Sequence, residues 1–331
     1  MMEMDFPEGK RYNTFVGYYR RVYGERLQKL VIDAGFSCPN RDGKVGRGGC
    51  TYCDNAAFHP GYSVPGKSLY DQIDEGLVFH RGRYPRVRHY LAYFQAYSNT
   101  YGSLEKLKDL YLEALSHPSV VGLVVGTRPD CVDDEKLDWL QLLASGNAIP
   151  GWRRELSDGR VLEAPVLTIE YGIESCYDST LLRINRGHDF ECARKAVEAT
   201  ASRGIDTGAH FILGLPGETR EMLLDQCDAI SSLPLRSVKF HQLQIVRGTR
   251  MEKEYSEIPE DFLRFGLDDY LDLVADILER LRPDLFIERV AGEVPPRFVN
   301  ETPWGLVRNA DILHLLDEKL QERDTFQGRL Y

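Results

Sequence analysis

The sequence predicts an α/β protein: a partial, parallel (β/α)6 TIM-type barrel with a C-terminal α/β extension. Two observations carry that expectation. Short apolar runs alternate with amphipathic stretches over most of the 331 residues, and six of the runs end in polar clusters that a purely structural barrel does not need. Strands separated by helices pair in parallel through right-handed crossovers. In such barrels the residues at the C-terminal strand ends carry the chemistry.

Residues 1–25 form a basic and aromatic segment whose Tyr12, Phe15, Tyr18, Tyr19 and Tyr23 suit either base stacking or packing as core or lid. Residues 26–250 make the barrel. The apolar run 27–35 reads as the first strand, followed by a helix over 68–81. Strand 89–95, helix 103–116, strand 120–126 and helix 133–145 continue the rhythm, and 166–172, 190–203, 207–214, 218–233 and 237–246 repeat it. Residues 146–164, with Pro150, Gly151 and Gly159, interrupt as a surface insertion or hairpin. Residues 251–331 pack on the barrel: an acidic helical stretch to Arg282, a strand pair over 285–299 and a closing helix over 304–321.

Composition narrows the class. No apolar run is long enough to cross a bilayer, and the N-terminus has no secretory pattern, so a cytoplasmic protein with no membrane partner is expected. Net charge is −10, yet Lys10 to Arg47 holds nine bases against three acids. Arg81, Arg83, Arg86 and Arg88 follow closely. Together with Arg20, Arg21, Arg26, Lys29, Arg41, Lys44 and Arg47 they are expected to form one face for an anionic substrate, if they are not simply a solvated surface.

The chemistry centres on Cys38, Cys50 and Cys53 in CPNRDGKVGRGGCTYC. Three thiolates leave a four-ligand site open, and soft sulfur suits zinc or iron–sulfur centres. A structural zinc built on CxxC usually recruits a second pair; Cys131, Cys176, Cys192 and Cys227 stand apart from one another. Free thiols in a reducing interior are a further reading. An open iron–sulfur site is the one favoured.

After that loop come QAYSNT at 95–100, GTRPD at 126–130, IEYGIES at 169–175, INRGH at 184–188, HFILGLPGET at 210–219, IVRGT at 245–249 and RVAGEVP at 289–295. In this order the chain resembles the radical S-adenosylmethionine (radical SAM) enzymes, most closely a bacterial YhcC/YtqA-like family related to the radical domain of the Elongator catalytic subunit. The eleven residues between Cys38 and Cys50 exceed the three common elsewhere in the superfamily, as in this relative family. The acetyltransferase domain that follows in Elongator has no counterpart.

The resemblance implies a radical SAM-type barrel in which Cys38, Cys50 and Cys53 hold a [4Fe–4S] cluster whose open iron binds S-adenosylmethionine. Tyr52 lies near the adenine. Gln95, Ala96 and Tyr97, with Ser98 and Thr100 as second choices, receive the methionine amine. Glu174 accepts from the ribose hydroxyls, Arg186 pairs with the methionine carboxylate, and His210, Leu213, Gln244 and Val246 line the adenine pocket. No catalytic side chain is assigned. The implied reductant is of flavodoxin or ferredoxin type, and the implied substrate is the wobble uridine of tRNA. A small metabolite or peptide substrate, or a non-catalytic metal-binding module, are the alternatives.

Overall fold

Alternate side chains of a strand point to opposite faces, so a sheet covered by helices outside and curled on itself inside must satisfy two cores at once. The computed structural model describes residues 6–305 and 307–331. In chain order the elements are α1 (Phe15–Tyr23), β1 (Gln28–Ile32), α2 (Pro39–Asp42), α3 (Leu69–Arg81), β2 (Tyr90–Phe94), α4 (Leu104–Ser116), β3 (Val120–Thr127) and α5 (Asp134–Ala144). They continue with β4 (Arg154–Glu155), β5 (Val161–Leu162), β6 (Val166–Glu174), α6 (Asp178–Arg183), α7 (Phe190–Ala201), β7 (Asp206–Leu213) and α8 (Arg220–Ser232). The last are β8 (Ser237–Gln242), α9 (Arg250–Glu257), α10 (Leu267–Arg280), β9 (Phe286–Arg289) and α11 (Asn309–Glu322).

The sheet order is β1-β2-β3-β6-β7-β8-β9, every neighbour parallel, curled into a half-barrel. Helix starts are marked as the sequence suggests. Ser68, Ser103, Asp133, Asp189, Thr219 and Thr249 each accept the N–H three residues on, contacts worth about 1 kcal/mol apiece. The interruption at 146–164 contains an antiparallel hairpin, β4–β5.

The six barrel strands form as expected and the C-terminal extension adds a seventh, β9; one expectation needs correction, because 285–299 is not a strand pair. Only Phe286–Arg289 is a strand; it pairs in parallel with β8, and the chain then leaves in a loop with one 3-10 turn, Pro296–Phe298. Pro295 and Pro296 remove two backbone donors where a second strand would need them.

Outward residues Ile32, Phe94, Val125, Ile169, Phe211 and Phe240 join the helices in one large core. Inward residues Leu27, Leu91, Val121, Val124, Val166 and Phe286 form a second core, into which α1 inserts Phe15 and Tyr19. The N-terminal aromatic segment is thus a plug at the N-terminal ends of the strands. Tyr18 donates to Asp206 at the start of β7 (3.1 Å), and Thr14 bridges to Ile287. That end is opposite to the cysteine loop, so a lid over the cysteines is not available from α1.

Above the plug the interior turns ionic. Lys29 on β1 reaches Glu170 on β6 (2.5 Å) and Glu288 on β9 (2.6 Å); Lys239 on β8 reaches the same two carboxylates at 2.6 and 2.9 Å. Lys29–Glu288 spans the two edge strands that do not hydrogen-bond to each other. Burial raises the Glu170 carboxyl, but Lys239, Lys29 and His210 outweigh it and hold the group well below the usual range.

Breaking one partner of a buried ionic set leaves an uncompensated charge and costs about 3–5 kcal/mol. Glu170→Gln should therefore lower unfolding free energy by about that amount at neutral pH, read from urea denaturation. A loss within experimental error would show that the set contributes nothing to closure.

Candidate functional site

The cysteine loop leaves β1 at its C-terminal end and is tied down by backbone bonds rather than by apolar packing. Cys38 caps the one-turn α2; Asp42 N–H donates to Cys38 O (3.1 Å) and Gly49 N–H to Asn40 O (2.9 Å). The INRGH segment after α6 clamps it from the other side: Thr51 N–H donates to Ile184 O (2.9 Å), Asn185 Nδ2 to Gly49 O (2.8 Å) and Asn40 Nδ2 to Asn185 O (2.6 Å). Gly187 between these contacts has φ +79°, and a Cβ there would meet Val45, Asn40 and Arg128 at 3.0–3.3 Å.

Two of the three sulfurs meet side-chain donors. Arg186 Nη1 lies 3.4 Å and Asn40 Nδ2 3.7 Å from Cys50 Sγ; Arg41 Nη1 lies 3.7 Å from Cys53 Sγ. Burial and the neighbouring Cys50 and Cys38 push the Cys53 thiol up to about 11, with Arg41 only partly offsetting them. A thiol raised in this way becomes a thiolate only beside a strong positive partner, which a metal centre supplies. Among the described residues no three His, Cys, Asp or Glu side chains close on a single ion. A cluster takes each cysteine on a different iron, so the donor set and its N–H partners fit a [4Fe–4S] group better than one zinc. Burial pushes Cys131 and Cys227 up to about 12 and raises Cys176 as well, as expected of small apolar fillers.

The neighbouring strand ends supply the rest of the mouth. In β6 the register shifts between Gly172 and Glu174, and Glu174 takes φ +76°, which brings its carboxylate to 3.7 Å from Arg186 Nη2. A left-handed non-glycine residue stores about 1–3 kcal/mol of strain. Glycine at 172 lets these two groups approach, since a Cβ would lie 2.6 Å from Glu174 Oε1 and 2.8 Å from Arg186 Nη2 and would displace one of them. Arg128 pairs with Asp130 through two bonds (2.8 and 2.7 Å) and donates Nη1 to Arg186 O at 2.8 Å.

Not all expected ligands face the opening. After β2, Gln95 is half-buried and Tyr97 is exposed, with φ +60° and the Arg41 guanidinium over its ring, whereas Ala96 is buried. Ser98 and Thr100 are wholly buried and both hydroxyls bond Thr127 Oγ1, at 2.9 and 2.6 Å. They shape the loop from beneath. Tyr52 packs beside Leu181, Ile184, Leu215 and Met251, and burial, then Cys50 and Glu174, keep its phenol protonated.

His210 bonds Glu170 (3.0 Å) and stacks on His241, which burial, then His210 and Arg289, hold neutral. Leu213 is buried in the outer core; Val246 packs with Ala57, Val294 and Val299. Leu213 and Gln244 border a cavity of about 1080 Å³ beside the mouth, shared with Gln242, Tyr255, Gly292 and Trp304. No cysteine of the loop lines it, nor do Glu174, Arg186 and His210.

The expected basic face is divided. Arg26 and Arg88 each stand two residues before parallel-paired strands, Arg81 ends α3, and Arg21 lies over Phe286, all at the plugged end. Arg41, Lys44 and Arg47 lie in the loop at the other end, and Lys29 is inside. Five-residue strands separate the two ends by about 17 Å. Asn40, the buried carboxylates Glu170 and Glu288 and the bond from Arg128 to Arg186 carry no signal of function in the sequence. Asn40, two residues after Cys38, comes nearest to one.

Comparison with known proteins agrees with this arrangement. A family model described as the Radical SAM superfamily matches residues 159–230, and one described as the Radical_SAM C-terminal domain matches 235–322. The chain is 32% identical over 324 residues to the uncharacterized protein YtqA of Bacillus subtilis, covering 97% of this chain and 93% of YtqA. It is 35% identical over 282 residues to Protein YhcC of Escherichia coli, covering 85% and 84%. The tRNA uridine(34) acetyltransferase of Dehalococcoides mccartyi is more distant, 23% identical over 70% of this chain and 45% of its own length. Among solved structures, archaeal Elp3 from Methanocaldococcus infernus shares the fold at TM-score 0.64 and 12% identity, over 91% of this chain and 64% of that one.

The corner after Glu174 depends on a second carboxyl. Ser175 Oγ donates to Glu218 Oε1 (2.6 Å), and burial pushes Glu218 up to about 7. The unfolded chain releases this proton first, so stability falls as pH rises from about 4.5 to 7, by up to about 3 kcal/mol. Glu218→Gln should flatten the urea midpoint across that range; an unchanged slope would assign it to other groups.

Proposed function

The chain belongs to the YtqA/YhcC-like family of radical SAM enzymes, and from that premise we propose that it binds a [4Fe–4S] cluster through Cys38, Cys50 and Cys53 and S-adenosylmethionine beside it. The observation that carries this reading is the cysteine trio at the barrel mouth, its sulfurs met by Asn40, Arg41 and Arg186. When bound, cluster and cofactor supply one-electron cleavage of a sulfonium and, through it, hydrogen abstraction from an unactivated C–H bond. The protein's part is to bind, orient and exclude water. Glu174, turned inward by its bulge, accepts from ribose hydroxyls; Gln95 and the backbone at Tyr97 receive the amine. A reductant of flavodoxin or ferredoxin type meets the exposed Arg41, Lys44 and Arg47 next to the cysteines.

For the substrate, we favour a small metabolite or a peptide side chain, held in the cavity of about 1080 Å³ that adjoins the mouth. The second reading, modification of tRNA at the wobble uridine, draws on the name of the Dehalococcoides relative. It loses the charge argument, because the arginines divide between two ends.

Anaerobic reconstitution should give bound iron and sulfide and, once a reductant and S-adenosylmethionine are added, 5′-deoxyadenosine. Replacing any one of the three cysteines with Ala should abolish both. Glu174→Gln should keep the iron but weaken S-adenosylmethionine binding about ten- to a hundredfold, the loss of one charge-assisted bond; unchanged affinity would mean another group holds the ribose. Loss of a modified tRNA nucleoside in cells lacking the protein, with steeply salt-dependent tRNA binding, would overturn the small-substrate reading.

A further inference from the structure

Cys50 differs from the other two cysteines in what surrounds its sulfur. Two buried side chains donate to it: Arg186, 5% exposed, at 3.4 Å and Asn40, 1% exposed, at 3.7 Å. Cys53 receives one donor from the exposed Arg41, and among the described residues no side-chain N–H is bonded to Cys38.

Arg186 is also held on every side. Its Nη2 donates to Gly172 O at 2.5 Å and lies 3.7 Å from Glu174 Oε1. Its carbonyl accepts from Arg128 Nη1 (2.8 Å) and Asn40 Nδ2 (3.4 Å). A Cβ at 172 would lie 2.8 Å from its Nη2, and one at 187 would press on Asn40 and Arg128, which clamp it. Only Nε has no partner, and it is buried. A guanidinium so committed is poorly placed to swing onto a methionine carboxylate, the role expected of it from sequence.

We propose that Arg186 and Asn40 are positioning residues that set the electron affinity of the bound cluster through Cys50. N–H donation to a coordinating sulfur, and a buried positive charge behind it, stabilise the state carrying one more negative charge and so raise the reduction potential. Among the three cysteines, Cys50 alone receives two buried donors, so its sulfur would carry most of this effect. This rests on the cluster assignment above. It adds that the same arginine ties Glu174, the expected ribose partner, to the redox centre.

The test is a potentiometric titration of the reconstituted cluster, followed by EPR, without S-adenosylmethionine, on wild type, Arg186→Met, Arg186→Lys and Asn40→Leu. Iron content and circular dichroism check that each variant has folded and loaded. In Arg186→Met the reduction equilibrium constant should fall about tenfold or more, 59 mV for a one-electron couple. Asn40→Leu should shift it in the same direction by less, and Arg186→Lys, which keeps the charge, should recover part of the loss. Potentials unchanged in iron-loaded variants overturn the inference. Unchanged potentials with a large loss of S-adenosylmethionine affinity in Arg186→Met return that residue to the carboxylate role. If the Arg186 variants fail to load, Asn40→Leu alone decides by the same criterion. If wild type takes up no iron, the cluster assignment itself fails.

Discussion

Four charged side chains in the middle of the half-barrel hold the remainder of the structure in place. Glu170 accepts from Lys29, Lys239 and His210, and Glu288 accepts from both lysines, so β1, β6, β7, β8 and β9 meet at two carboxylates. A half-barrel has two edge strands that cannot pair with each other, and their unsatisfied edges are a hazard. Here Lys29–Glu288 joins the edges through side chains, and α1 blocks the end below them. An apolar filling would pack the interior as well but would not pull the two edges together.

The closed interior gives the mouth a rigid floor, and three of the four left-handed non-glycine residues among those described lie above it, the fourth, Asp324, following α11. Tyr97, Glu174 and Asn185, left-handed residues that are not glycine, all lie on loops or strand ends around the cysteines. Their conformations persist because neighbouring bonds over-determine them: Asn185 is held by Gly49 and Asn40, Glu174 by the bulge and Arg186. The cysteine loop has almost no apolar core of its own. Its shape is set by the INRGH segment, which is why Ile184 to Gly187 matter to a site whose ligands lie more than a hundred residues earlier.

Charge is distributed by end, not by face. The acidic total of −10 conceals a basic loop around the cysteines and a separate arginine-rich rim at the plugged end. A ligand filling the cavity beside the mouth meets Gln242, Gln244, Tyr255 and Trp304, a mixed polar and aromatic lining suited to a compact molecule. The region matched by the C-terminal family model supplies this lining, since residues 242–304 contribute most of it.

The alternation of apolar runs and capped helices was legible in the sequence because both signals are local: side-chain periodicity and a hydroxyl or carboxylate three residues before a free N–H. The cysteine trio was legible for the same reason, being contained in sixteen residues. The extent of the seventh strand was not legible, because four residues, Phe286 to Arg289, carry too short a pattern and the following RVAGEVP segment resembles a continuation. What only the tertiary structure decided is which polar residues are internal partners. Lys29 meets Glu170 141 positions away, Arg186 meets Cys50 136 positions away, and Ser98 and Thr100 turn from ligand candidates into bonds to Thr127. Such contacts depend on strand register, sheet curvature and the direction of the helix after each strand, none of which a local pattern encodes. The residue types proposed a metal site; the folding of distant strands around one interior set its donors, its strain and its charge.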